Sequence, residues 1–99
     1  MILVYITCKD KKEAEKISMY LLKKGLIACA NVFPIRSMYW WEGKIQNEKE
    51  VVILAKTLEK NYNKIKNEVS KLHSYTVPCI LKIDTEANED YDEWVNKIN

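Results

Sequence analysis

The sequence predicts an α+β fold in which strand and helix segments flank one long β-hairpin, within a single domain spanning residues 1–99. Two observations lead to this prediction. The chain opens with a continuous apolar run, Ile2 to Thr7, as expected of a central strand covered on both faces. The segment 26–57 is rich in β-branched and aromatic residues and contains one proline and one glycine. That composition favours two long strands over helices.

A first helix is predicted to follow the opening strand. Asp10 is a suitable N-cap residue, and Glu13, three residues later, completes a capping-box pattern. Gly25 suits the C′ position, where a left-handed backbone conformation ends many helices. Between these ends the apolar face repeats at helical spacing, with Lys and Glu on the other face. That face comprises Ala14, Ile17, Ser18, Leu21 and Leu22.

The hairpin is the longest predicted element, with arms 26–41 and 44–57 and a reversal at Glu42-Gly43. An unbroken 15-residue strand would span roughly 50 Å, whereas a compact chain of this length has a radius of gyration of about 13 Å. The hairpin must therefore bend, for which Pro34 is suited, or project from the domain. Its tip, Met38 to Trp41, alternates large apolar side chains between both faces. A monomer could not cover them all, so the hairpin is predicted to be an oligomerisation element.

The second half of the chain completes the pattern. A helix is predicted over 58–72 and a last strand over 75–83, with Pro78 near its start. A C-terminal helix capped near Asn88 follows, with Tyr91, Trp94, Val95 and Ile98 on its buried face. Two βαβ units with right-handed crossovers, joined by a hairpin, predict a ferredoxin-like split βαβ sandwich with an extended β-hairpin and a C-terminal helix.

Composition excludes several function classes. Of sixteen basic residues only Arg36 is arginine, and a net charge of +2 is small, so no nucleic-acid partner is expected. The apolar runs are too short to span a membrane and no export signal precedes the first strand, so no membrane partner is expected. Three cysteines without a CxxC motif indicate reduced thiols, and a cytoplasmic location is predicted.

Residues at matching spacing along essentially the whole chain are typical of one known family: Ala28, Cys29, Asn31, Pro34, Ser37, Tyr39, Trp41, Gly43, Ile45, Glu50, Lys56, Thr57, His73, Tyr75, Pro78, Tyr91 and Trp94. On these residues the sequence resembles the CutA-type divalent-cation tolerance protein family. The resemblance implies a homotrimer with a ferredoxin-like fold that is associated with copper tolerance. One motif differs, because the family often has His-Pro-Tyr-x-x-Pro-Glu where this chain has a thiol at the last position, in the segment 73–79.

A metal site is predicted at His73, Cys79 and Cys8. Thiolates with imidazole suit copper(I) or zinc, and imidazole with carboxylate suits copper(II). We expect weak binding of copper or another divalent ion through His73 with either Cys79 or a carboxylate at the subunit interface. The alternatives are a role for His73 at a helix C-terminus and, for Cys29, burial as a small structural hydrophobe.

A binding cleft between subunits is predicted from Tyr39, Trp41, Glu50, Lys56 and Tyr75, with core packing and interfacial ion pairs as the alternative. No Gly-rich phosphate loop or nucleophile motif is present, so an enzyme is not expected. The leading hypothesis is a trimeric metal-tolerance protein whose partners are metal ions and its own copies. The alternatives are a PII-like small-molecule sensor or signalling trimer and an enzyme acting in an intersubunit cleft.

Overall fold

The computed structural model describes all residues from Met1 to Asn99. Its four strands form one antiparallel sheet in the order β2-β3-β1-β4, which confirms the predicted ferredoxin-like split βαβ arrangement. One turn of 3-10 helix, Glu59–Asn61, precedes α2. The elements are β1 Ile2–Cys8, α1 Lys11–Lys23, β2 Cys29–Trp41, β3 Lys44–Thr57, α2 Tyr62–Leu72, β4 Ile80–Asp84 and α3 Glu89–Ile98.

The core lies on one face of the sheet. Side chains of β1 alternate, so that one set is fully buried against α1 and α2 while the intervening residues stay half-buried. The predicted covering of β1 on both faces is only partial in the protomer, because α1 and α2 pack on the same side. The buried residues of this core are Ile2, Val4, Ile6, Cys8, Ala14, Ile17, Leu21, Leu26, Ile27, Ile53, Ala55, Ile65 and Val69.

The hairpin projects as the sequence predicts. Its strands pair continuously from Cys29 opposite Lys56 to Trp41 opposite Lys44, in a protomer that measures 45 × 24 × 21 Å. Pairing runs through Pro34 without a break, because β2 is an edge strand and tolerates a residue without an N–H. The reversal uses left-handed backbone at Glu42 (φ 50°) and Gly43 (φ 77°).

The start of the last strand and the burial of the C-terminal helix differ from the sequence prediction. The last strand begins at Ile80, and the predicted strand residues 75–79 form a loop. Pro78 supplies no N–H to a ladder and restricts the residue before it, so pairing starts only beyond it. On α3 only Val95 is buried, while Trp94 and Ile98 are 42% and 48% exposed in the protomer. No helix is long and apolar enough to cross a bilayer.

Candidate functional site

One group of metal-ligating side chains converges at the end of β1. Cys8 ends that strand, Glu13 lies in the first turn of α1, and His73 follows the last residue of α2. One ligand atom of each lies within 4.8 Å of the others. Cys8 and Glu13 are buried and His73 is half-buried. Two consecutive elements, β1 and α1, and the distant end of α2 thus bring a thiol, a carboxylate and an imidazole together.

Hydrogen bonds hold the imidazole of His73 in this group. The backbone N–H of Tyr75 donates to Nδ1 at 3.1 Å. Since Nδ1 accepts, the neutral ring carries its proton on Nε2 and donates to the carbonyl of Thr7 at 2.7 Å. Both ring nitrogens are therefore engaged, and a metal ion could bind His73 only in exchange for one of these bonds.

Glu13 joins the start of α1 to the loop after α2. Its two carboxylate oxygens accept from the backbone N–H groups of Lys9 and Ser74, each at 3.0 Å, while Asp10 caps the helix by accepting from the Glu13 N–H at 2.8 Å. Burial raises the pKa of Glu13, but the hydrogen bonds from Ser74 and Lys9 and the nearby His73 more than offset this, so the pKa is lowered. The N-cap half of the predicted capping box is thus present, whereas Glu13 reaches back to Lys9, one residue before the cap, and not to Asp10.

The thiol of Cys8 is protonated in the metal-free protein. Burial raises its pKa to about 12, and the negative charges of Glu13, Asp10 and Glu50 add to the effect. Because a metal binds the thiolate, coordination by Cys8 must release this proton. The group is therefore a closed, hydrogen-bonded unit that can accept an ion only by rearranging.

A second site lies on the sheet face opposite α1 and α2. We call it the sheet-face cleft; it has a volume of about 720 Å³ and lies between the hairpin and the loop after α2. Tyr75 donates its hydroxyl to Glu50 Oε2 at 2.5 Å, and Tyr39 donates to Glu48 Oε1 at 2.9 Å. The lining residues are Tyr5, Thr7, Ser37, Met38, Tyr39, Trp41, Gln46, Glu48, Glu50, Ser74, Tyr75, Thr76, Val77 and Cys79.

The electrostatics of the sheet-face cleft are negative. Its lining contains two carboxylates and no Lys, Arg or His. Burial, then the hydrogen bond to Glu50 and its charge, raise the pKa of Tyr75. Burial likewise raises the pKa of the Cys79 thiol; a hydrogen bond with Thr7 partly offsets the effect of burial, and the charge of Glu50 adds a smaller increase. These shifts mark Glu50 as the dominant charge of the cleft.

The site residues predicted from the sequence fall into two separate groups in the structure. His73 lies beside Cys8, whereas Cys79 lies in the sheet-face cleft and outside the metal-ligating group. Tyr39, Trp41, Glu50 and Tyr75 line one cleft of the protomer.

Two residues of the predicted sites lie elsewhere in the fold. Lys56 pairs with Leu3 and Cys29 at the other end of β3, with its Nζ 5.2 Å from the Tyr91 ring centroid. Cys29 is half-buried and not fully buried, because β2 forms an edge of the sheet.

Two site residues were missed on sequence. Glu13 was assigned only to helix capping, and its neighbour His73 is sixty positions away, so no local pattern joins them. Glu48 could have been found, because it lies two residues before Glu50 in a strand and alternation places both side chains on one face.

Comparison with known proteins agrees with the geometry. The family described as CutA1 divalent ion tolerance protein matches residues 2–98. The divalent-cation tolerance protein CutA of Pyrococcus horikoshii is 48% identical over 96 residues, which cover 96% of this chain and 94% of that protein. The crystal structure of CutA1 from that organism superposes with a TM-score of 0.95 at 45% identity, covering 99% of this chain and 97% of the other.

Two further structures share the fold. The periplasmic divalent cation tolerance protein CutA from Archaeoglobus fulgidus gives a TM-score of 0.95 at 40% identity, covering 99% and 98% of the two chains. The PII-like protein CutA from Nostoc gives 0.91 at 24% identity, covering 99% and 96%, and supports the fold alone. With matches over nearly its whole length, this chain belongs to the CutA1 divalent ion tolerance protein family.

Proposed function

We propose that this protein is a non-enzymatic, homotrimeric divalent-cation tolerance protein of the cytoplasm that binds copper at Cys8, Glu13 and His73. The observation that carries the proposal is the convergence of these three ligand atoms within 4.8 Å. Relatives that bear the name divalent-cation tolerance protein support the general role. The three free cysteines support a reducing compartment, where thiols stay unpaired.

The chemistry of this group suits a borderline or soft ion. Imidazole and thiolate are ligands of copper and zinc, and a carboxylate adds charge that favours the divalent state. Binding would replace the hydrogen bonds of His73 to Thr7 or Tyr75 and the proton of Cys8. Loss of these hydrogen bonds and release of this proton lower the affinity for the metal ion. A lower affinity is expected of a protein that binds excess metal reversibly.

Exposed apolar surface supports the trimer. At the hairpin tip Met38, Trp40 and Ile45 are 70%, 71% and 66% exposed in the protomer. On β4, Leu81 and Ile83 are 51% and 44% exposed on the sheet face opposite α1 and α2. Large contiguous apolar surfaces of this kind mark protein interfaces. Packing of neighbouring hairpins and sheet faces would cover both areas.

Copper(II) titration followed by electron paramagnetic resonance tests the metal site. Because His73 is the chain's only histidine, nitrogen coupling from an imidazole in the untagged protein can come from His73 alone. We expect this coupling in the wild type and its loss in His73→Gln. Cys79→Ser is the matched thiol control and should keep the signal, whereas Cys8→Ser should weaken binding by about tenfold or more.

Two results would contradict this site. An unchanged spectrum in His73→Gln would place the copper elsewhere in the chain. Loss of binding in Cys79→Ser, with Cys8→Ser unaffected, would replace Cys8 by Cys79 in the ligand set.

A PII-like sensor is the second candidate function, and one feature favours it. A recess of about 580 Å³ beside the start of α1 is lined by four basic side chains, Lys9, Lys11, Arg36 and Lys49, and by two acids, Asp10 and Glu50. The excess of positive charge suits phosphate groups. The fold is that of the Nostoc PII-like protein. An ATP-dependent rise in melting temperature that Lys49→Gln removes would favour this function. No shift in the wild type would count against it.

A further inference from the structure

The loop after α2 is tied through its backbone to two of the candidate metal ligands. The N–H of Ser74 donates to Oε2 of Glu13 at 3.0 Å, and the N–H of Tyr75 donates to Nδ1 of His73 at 3.1 Å. The rings of His73 and Tyr75 also pack against each other, with centroids 4.8 Å apart and planes tilted by 50°. The position of Tyr75 therefore depends on the imidazole of His73.

The side chain of Tyr75 connects this loop to the hairpin. Its hydroxyl donates to Oε2 of Glu50 at 2.5 Å, and Glu50 lies on β3 with 6% of its surface exposed. Hydrogen bonds to a charged acceptor are among the strong ones in proteins. All of these contacts are made within one protomer, so they do not require an open cleft. They form a continuous path from the metal-ligating group to the hairpin.

Coordination by His73 removes the acceptor of the Tyr75 N–H, whichever ring nitrogen binds the ion. If Nδ1 coordinates, its lone pair is no longer available to the N–H. If Nε2 coordinates, the proton of the neutral ring moves to Nδ1, which then becomes a donor facing another donor. The hydrogen bond from Tyr75 to Nδ1 is lost in both cases. Glu13 has further lone pairs and can keep its bond from Ser74.

We propose that metal binding at His73 displaces Tyr75 and breaks its hydrogen bond to Glu50. This inference rests on the proposed metal site and adds how occupancy of that site is transmitted through the fold. Displacement leaves the buried carboxylate of Glu50 without its donor, on the strand that carries the predicted oligomerisation element. Because coupling between two sites is reciprocal, the Tyr75–Glu50 bond and the metal ion each weaken the other.

Amide hydrogen exchange of the full chain with and without zinc(II), followed by nuclear magnetic resonance, tests the first step. Zinc(II) is diamagnetic and suits thiolate and imidazole ligands. We expect the Tyr75 amide to exchange at least about tenfold faster in the zinc-loaded protein, because its acceptor has been lost. The amide of Ile53, in the core of β3, is the internal reference and should not change. In His73→Gln, zinc(II) should not alter the exchange of the Tyr75 amide.

Calorimetric titration with zinc(II) tests the link to Glu50. Tyr75→Phe lacks the hydroxyl that donates to Glu50, so no bond to a carboxylate has to be broken when metal binds. We expect this variant to bind zinc(II) about tenfold more tightly than the wild type. Tyr39→Phe is the matched control, because it removes a hydroxyl that donates to Glu48 at 2.9 Å on the hairpin. Its zinc affinity should equal that of the wild type.

The outcomes separate this coupling from the metal site itself. Zinc binding that requires His73 but leaves the Tyr75 amide exchange unchanged would overturn the coupling and leave the metal site in place. Unchanged or weaker zinc affinity in Tyr75→Phe, or an equal gain in Tyr39→Phe, would also overturn the coupling. Absence of zinc binding to the wild type would overturn it too, while the copper titration tests the metal site separately. Should Tyr75→Phe fold poorly, amide exchange in the wild type decides.

Discussion

Replacing Glu13 with alanine is expected to lower the free energy of unfolding by about 3 kcal/mol. The carboxylate accepts from two backbone N–H groups, those of Lys9 and Ser74. Hydrogen bonds to a charged group contribute about 1.5–3 kcal/mol each, and the two are not fully additive. Removing the side chain also leaves both donors without their partner. Urea denaturation at pH 7 and one fixed protein concentration measures the change.

Glu15→Ala is the matched control for this prediction. Glu15 lies on the same helix, and its only ionic contact is an exposed pair with Lys11 at 3.7 Å. Such pairs contribute little, so a change within about 0.5 kcal/mol is expected. Similar losses in the two variants would show that the hydrogen bonds of Glu13 do not stabilise the fold.

The effect of Glu13 should depend on pH. Its pKa is lowered in the folded protein by hydrogen bonds that outweigh burial, so the unfolded chain takes up the proton at higher pH than the folded one. The stabilisation is therefore fully present above the ordinary carboxyl pKa, about 4.3, and is lost as pH falls through the lowered value. The difference between wild type and Glu13→Ala should shrink from pH 7 to pH 3. A constant difference would contradict the assignment.

Replacing Trp41 with glutamate is expected to dissociate the assembly. In the protomer Trp41 is 45% exposed at the hairpin tip, opposite Lys44. If neighbouring subunits cover this tip, the variant would bury an unpaired charge, which costs several kcal/mol. Light scattering at micromolar concentration should report about three chain masses for the wild type and a smaller mass for the variant. Subunit contacts and folding are coupled in obligate oligomers, so thermal stability should fall as well.

Two further variants make this prediction specific. Trp41→Phe keeps a large apolar side chain and should remain assembled. Met19→Glu introduces the same charge at an apolar residue of α1 that is 50% exposed, away from the hairpin, and should leave the mass unchanged. A monomeric wild type, or an intact trimer in Trp41→Glu, would refute the role assigned to the hairpin.

The strands and the hairpin could be predicted because their signals are local. Runs of β-branched residues mark β1 and the centre of β3, and Gly43 marks the reversal that fixes the register. The start of the last strand could not be placed in this way. Tyr75 has strong strand propensity, but in the fold its side chain reaches Glu50 and Pro78 delays pairing.

The candidate sites depended more on tertiary structure. Resemblance to the family pointed to His73, but its neighbours are set by how α2 ends against β1, which no spacing in the sequence reveals. Lys56 shows the same limit: it shares a strand face with Glu50, yet lies at the end of β3 next to Tyr91 and away from the cleft. The alternation of side chains along a strand shows on which face of the sheet each side chain lies. It does not show which part of that face is covered by a loop that is distant in sequence.

The position of Pro34 in the edge strand bears on aggregation. A free strand of thirteen residues presents a row of backbone donors and acceptors that can recruit further chains without limit, as in fibrils. Pro34 lies within this strand and has no backbone N–H. An added strand therefore cannot form an unbroken series of hydrogen bonds along the edge. Strand addition over the full edge is thereby disfavoured, and closed contacts between a fixed number of copies are favoured over open-ended growth.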